Sequence, residues 1–110
     1  METINGQLCI ESIPVIELAR EYGSPCYIYS SEIITNNFLK YKEETRSQDL
    51  ICYAVKANSN IKILKLLDRL GSGFDVVSGN ELRRCLKAGV DKNKIVFSGV
   101  GKSYEELEYA

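Results

Sequence analysis

The sequence predicts an α/β fold built on a parallel sheet, and three observations predict it. Apolar segments alternate between a helical period and short β-like runs. The strand candidates recur at near-constant spacing, 23 residues from Ile51 to Phe74 and 21 from Phe74 to Ile95. Each gap holds one amphipathic helix, the crossover that a parallel pair needs.

The elements follow in order. Pro14 to Tyr22 reads as a helix with Val15, Leu18, Ala19 and Tyr22 on one face, Pro14 in its first turn and Gly23 at its end. Cys26 to Tyr29 reads as a strand. Ser31 to about Glu44 reads as a helix with Ile34, Phe38 and Tyr41 on one side. Leu50 to Val55 is an unbroken apolar run, the pattern of a strand covered on both faces. Ile61 to Leu70 is an amphipathic helix closed by Gly71. Phe74 to Val77 is a strand, and Glu81 to Lys87 lies in a helix with Leu82, Cys85 and Leu86 inward and Gly89 ending it. Lys94 to Phe97 is a strand, and a helix starts at Ser103. Ser78-Gly-Asn-Glu81 and Ser103-Tyr-Glu-Glu106 have the form of capping boxes. The closing EELEYA has no C-cap or stop signal, so it reads as a cut within a longer α/β protein.

Composition narrows the chemistry. The chain has 110 residues, enough for one small domain, and its 14 basic and 15 acidic residues give a net charge of −1. That balance gives no electrostatic case for nucleic acid or an anionic membrane. No apolar run approaches the roughly 18 residues of a membrane helix. The opening METINGQLCIES lacks a basic region and an apolar region, so it is no secretory signal. Cys9, Cys26, Cys52 and Cys85 form no C-x-x-C pair and read as reduced thiols of a cytoplasmic chain. The absence of histidine excludes Ser-His and Cys-His triads, and mixed Cys/His zinc sites, within these residues. Catalysis would fall to Lys, Asp, Glu, Tyr, Cys or Ser, or to a cofactor.

Tyr53-Ala54-Val55-Lys56-Ala57-Asn58 is the sharpest feature. An apolar strand ends in a lysine, at the sheet edge where parallel α/β folds hold ligands. Partial desolvation there would favour the neutral, nucleophilic amine that condenses with a carbonyl. A strand-end lysine can also simply reach into solvent. Asp75 lies inside the next strand between apolar residues. A carboxylate there needs a partner; Lys56, one strand over, is one candidate and a backbone N–H is another. Ser78 and Glu81 are explained by their capping box alone. Gly99-Val-Gly-Lys-Ser103 resembles a phosphate loop, but that motif needs Gly at position 96, where Val96 stands. The turn could still hold an anion before a helix. Gly71-Ser-Gly73 follows a helix and precedes a strand, the order of a C-cap turn and not of a dinucleotide fingerprint.

These stretches resemble the diaminopimelate decarboxylases, within the alanine-racemase-like (fold type III) group of pyridoxal-phosphate enzymes. Tyr22 to Ser30 is similar to the family's YGTPLYVYS, Tyr53 to Asn58 to its YAVKAN, and Gly71 to Leu82 to GSGFDVVSGGEL, with Asn80 in place of the commoner glycine. Ala88-Gly-Val90 and Ile95 to Ser103 also fit. The resemblance implies a partial (β/α)8 TIM barrel with an N-terminal strand belonging to a β-sandwich domain. Residues 1–29 would be that strand, around Leu8 to Glu11, and a lead-in helix, and residues 30–110 the first βα units of the cofactor-binding barrel. It implies that Lys56 is catalytic and carries pyridoxal 5′-phosphate, with Asp75, and less directly Glu81, beside it. It implies decarboxylation of meso-2,6-diaminopimelate to L-lysine, a small amino-acid substrate and a homodimer, with this stretch inactive by itself. A non-catalytic relative of the same fold, or a decarboxylase of ornithine or arginine, stays open.

Overall fold

Asn5 and Gly6 turn the chain back on itself near its start. Their φ values of 50° and 78° are the left-handed pair required by a two-residue type I′ hairpin. The turn joins β1 (Glu2–Ile4) to β2 (Gln7–Ile10) in an antiparallel ladder with Glu2 opposite Cys9. Glu11 and Ser12, also left-handed, make a second turn into β3 (Ile13–Pro14). The computed structural model describes residues 1–110, and they form two units, 1–34 and 35–110. The meander lies wholly in the first. A strand occupies the place expected near Leu8, with two partners that the sequence analysis did not anticipate.

Helix α1 (Val15–Tyr22) follows at once, with Pro14 as its N-cap and not in its first turn. Val15, Leu18 and Ala19 are half-buried, but Tyr22 is exposed, so the expected apolar face is one residue shorter. The strand expected over Cys26 to Tyr29 does not form. That stretch has no ladder partner, and Tyr27 is 93% exposed. Helix α2 (Ser31–Glu43) begins where expected. Its first turn is held by Ser30 Oγ, which accepts from the Ile33 N–H at 3.0 Å, and by the Glu11 carboxylate, which accepts from the Glu32 N–H at 2.7 Å. Ser30 and Ser31 hydroxyls also donate to Glu11. The Ser30 hydroxyl first, then the Glu32 N–H, hold the Glu11 carboxyl below its ordinary range.

The second unit is the parallel sheet that the repeat predicts. Its strands are β4 (Cys52–Ala54), β5 (Gly73–Val76) and β6 (Ile95–Phe97), side by side in that order. Helices α3 (Ile61–Arg69) and α4 (Gly79–Ala88) are the crossovers, and α5 (Tyr104–Tyr109) follows β6. Successive strand residues point to opposite faces. Phe74 and Val76 take one face and are fully buried, in a core that also contains Leu64, Leu67, Leu82 and Cys85. Ala54, Asp75 and Val96 are level in register and share the other face, where Val96 is half exposed. The Leu50 to Val55 run is therefore covered on one side only, and its ladder is confined to Cys52–Ala54. Leu86, expected inward, is 41% exposed, and Tyr41, expected on the same side of its helix as Phe38, is 71% exposed.

Close packing explains one glycine. A Cβ at Gly73 would stand 2.7 Å from Cys52 Sγ and 2.8 Å from the Lys94 carbonyl oxygen, so only glycine lets β5 lie between its neighbours. Ser72, fully buried before it, is satisfied by donating to the Gly73 and Ile51 carbonyls. No helix is long and apolar enough to cross a membrane.

Candidate active site

Lys56 does not lie in the strand. β4 ends at Ala54, and Val55–Ala57 form a single 3₁₀ turn that carries the lysine past the C-terminal edge of the sheet. Val55 is fully buried and anchors this turn, whereas Lys56 is exposed. Its amine makes no hydrogen bond or ion pair. The desolvation expected of a strand-end lysine is therefore not supplied by these residues.

The rest of the YAVKAN stretch staples the turn. The Tyr53 hydroxyl donates to the Asn58 carbonyl at 3.2 Å, bridging the residues on either side of Lys56. The Asn58 side chain accepts from the Asn60 N–H at 3.0 Å, and Asn60 in turn caps α3 by accepting from the Lys62 N–H. These supports are less conspicuous in the sequence than the lysine they flank. Their signal was present: a tyrosine in the strand, and two asparagines placed just before an amphipathic helix.

Asp75 is opposite Ala54 in the β4–β5 register, so it shares the non-helical face with the strand that leads to Lys56. The two residues form no ion pair, contrary to one of the partnerships considered above. Asp75 Oδ1 is instead buried with no hydrogen-bond partner. The charge of Asp75 also adds to the effect of burial in raising the pKa of the neighbouring Cys52 thiol. A buried carboxylate oxygen without a donor is costly, and it is an acceptor ready for one. An exposed free amine and an orphaned acceptor at one end of a parallel sheet suit a cofactor carrying an aldehyde and N–H or cationic groups.

Ser78 and Glu81 are bonded to the turn between β5 and α4. Ser78 accepts from the Glu81 N–H, and the Glu81 carboxylate accepts from the Val77 N–H at 2.9 Å. Ser103 and Glu106 form the full reciprocal box. Lys102 folds back to donate to the Gly99 carbonyl and lies over the Phe97 ring. Cys85 is no nucleophile: burial first, and the Glu81 charge second, push its thiol up to about 11. No cluster of His, Cys, Asp or Glu could hold a metal ion.

Comparison with known proteins gives this geometry a family. Residues 31–110 match the family described as pyridoxal-dependent decarboxylase, pyridoxal binding domain. The chain is 49% identical over 107 residues to the diaminopimelate decarboxylase of Vibrio cholerae, covering 96% of this chain and 26% of that protein. It superposes with a TM-score of 0.80 on the crystal structure of diaminopimelate decarboxylase from Helicobacter pylori complexed with L-lysine, at 50% identity, covering 86% of this chain and 24% of that one. It also resembles the M. jannaschii diaminopimelate decarboxylase in co-complex with L-lysine, with a TM-score of 0.82, 41% identity, and coverage of 96% and 26%. The chain thus spans about a quarter of the length of the relatives it matches. On the match over residues 31–110, the chain belongs to the pyridoxal-dependent decarboxylases.

Proposed function

We propose that the protein carrying this chain decarboxylates meso-2,6-diaminopimelate to L-lysine, with pyridoxal phosphate held on Lys56. The observation that carries the proposal is the free, exposed Lys56 amine on a stapled turn at the C-terminal edge of the sheet. The substrate follows from relatives named for diaminopimelate, two of whose structures contain L-lysine.

The chain's own residues have distinct tasks. Lys56 supplies an exposed primary amine that no neighbouring carboxylate occupies. Tyr53 and Asn58 fix the turn, which limits the directions in which that amine can reach. Asp75 offers its unpaired Oδ1 to whichever donor enters, and its charge favours a protonated group there. When bound, pyridoxal phosphate supplies the electron sink that decarboxylation needs.

The remaining assignments extend the same reading. The parallel sheet would be the start of a (β/α)8 barrel, and the strand in residues 1–29 would belong to a β-sandwich domain. The whole protein would be a cytoplasmic homodimer, and residues 1–110 alone would be inactive.

The test is carbon dioxide release by the full-length protein from diaminopimelate, ornithine and arginine, with and without added pyridoxal phosphate. Cofactor-dependent release from diaminopimelate, with L-lysine formed in equal amount, is expected. Preference for ornithine or arginine would overturn the substrate, and cofactor binding without any release would favour a non-catalytic relative.

A further inference from the structure

Glu106 joins two successive βα units. One carboxylate oxygen accepts from the Gly79 N–H at 2.6 Å, at the first turn of α4. The other accepts from the Ser103 N–H at 3.0 Å, at the start of α5. The Gly79 N–H first, and the Ser103 N–H second, hold this carboxyl below its ordinary range. Gly79 is fitted to the contact, since a Cβ there would stand 3.1 Å from Glu106 Cγ. The fully formed box at α5 explains the Ser103 bond, but nothing in a capping box calls for the bond to Gly79.

The bonded segment is the turn that closes β5. Val77, two residues beyond Asp75, gives its N–H to Glu81, and Gly79 gives its N–H to Glu106. One side of this turn is therefore held from within its own helix and the other from the next unit. Ser98 extends the same junction by donating to the Val76 carbonyl at 2.9 Å. Both anchors lie at the sheet edge that carries Lys56.

We propose that Glu106 is a positioning residue for the cofactor site, clamping the β5–α4 turn to the next βα unit so that Asp75 is held in place. The proposal rests on the function assigned above. It adds a residue that touches neither Lys56 nor Asp75 and acts through the backbone of Gly79.

The experiment compares Glu106→Ala, Glu106→Gln and Ser103→Ala in the full-length protein. Gln keeps an oxygen for Gly79 but loses one acceptor, whereas Ser103→Ala removes the α5 cap and leaves the Gly79 bond. Two readouts are used: the affinity and absorbance spectrum of pyridoxal phosphate titrated into the apoprotein, and amide hydrogen exchange at Gly79. Glu106→Ala should bind the cofactor roughly three- to tenfold more weakly and exchange Gly79 faster. Glu106→Gln should recover most of both, and Ser103→Ala should change neither beyond a general loss of α5 stability. Wild-type affinity and spectrum in Glu106→Ala, or equal losses in Ser103→Ala, would overturn the clamp. If Glu106→Ala fails to fold, Glu106→Asp decides, since its shorter side chain keeps the charge at the start of α5 but draws the carboxylate back from Gly79: faster Gly79 exchange with weaker cofactor binding supports the clamp, and wild-type cofactor affinity contradicts it. A wild-type protein that binds no cofactor would refute the functional reading instead, and Gly79 exchange would still report on the clamp.

Discussion

The Tyr53 hydroxyl reaches across the turn bearing Lys56 and donates to the carbonyl of Asn58 at 3.2 Å. The bond makes the lysine's backbone part of a closed loop between β4 and α3. Replacing Tyr53 with Phe removes this link and keeps the ring. A neutral hydrogen bond contributes about 0.5–1.5 kcal/mol net. Cofactor affinity of the full-length Tyr53→Phe protein should therefore fall about two- to tenfold, measured by spectral titration. An unchanged affinity would show that the turn holds Lys56 without the staple.

Asp75 carries a structural cost, and the proposed function gives that cost a use. Its buried Oδ1 has no donor, so the fold gains nothing from that oxygen. Asp75→Ala should leave the melting temperature of the apoprotein unchanged or higher, while turnover falls at least about tenfold, the loss expected if its charge serves the proposed cofactor site. A large drop in melting temperature with normal turnover would assign Asp75 to the fold instead.

Gly73→Ala tests the packing of the sheet. The added methyl meets a backbone carbonyl as well as Cys52, so trimming the cysteine cannot make room. Overpacking of this kind costs about 1–3 kcal/mol. Denaturant unfolding should show that loss in Gly73→Ala, and Cys52→Ala should not restore it.

How far the sequence reached depends on how local each signal is. The βα repeat was readable because each strand and helix carries its own apolar period, and the Ser103 box because its partners are three residues apart. The Asn5-Gly6 hairpin was equally local and was overlooked. Cys26 to Tyr29 has strand composition, but a strand exists only beside another, and no strand pairs with this one. Lys56 stands out as a candidate because it follows an apolar run. Its place on a 3₁₀ turn was hidden, because Val55 continues the run while already turning away from the ladder. The Gly79–Glu106 bond joins residues 27 apart and leaves no trace in local pattern.

Glu11 gives the first unit a pH dependence of known sign. Its folded carboxyl titrates below the ordinary value of 4.5, so the folded state binds fewer protons there than the unfolded chain. The resulting stability is present above that value and is lost as pH falls through the lowered one. Glu11→Gln should flatten this part of the acid-unfolding profile, with little change in its slope above pH 6. A profile identical to wild type would remove Glu11 from the cap of α2.

The central claim is that Lys56 is the residue joined to the cofactor, and covalent trapping tests it most directly. Full-length protein loaded with pyridoxal phosphate, reduced with borohydride and digested should yield a pyridoxyl-modified peptide with the label on Lys56. Lys56→Ala should give no labelled peptide and no cofactor absorbance. A label on any other lysine, or a Lys56→Ala protein that keeps the absorbance and the label, would contradict the account.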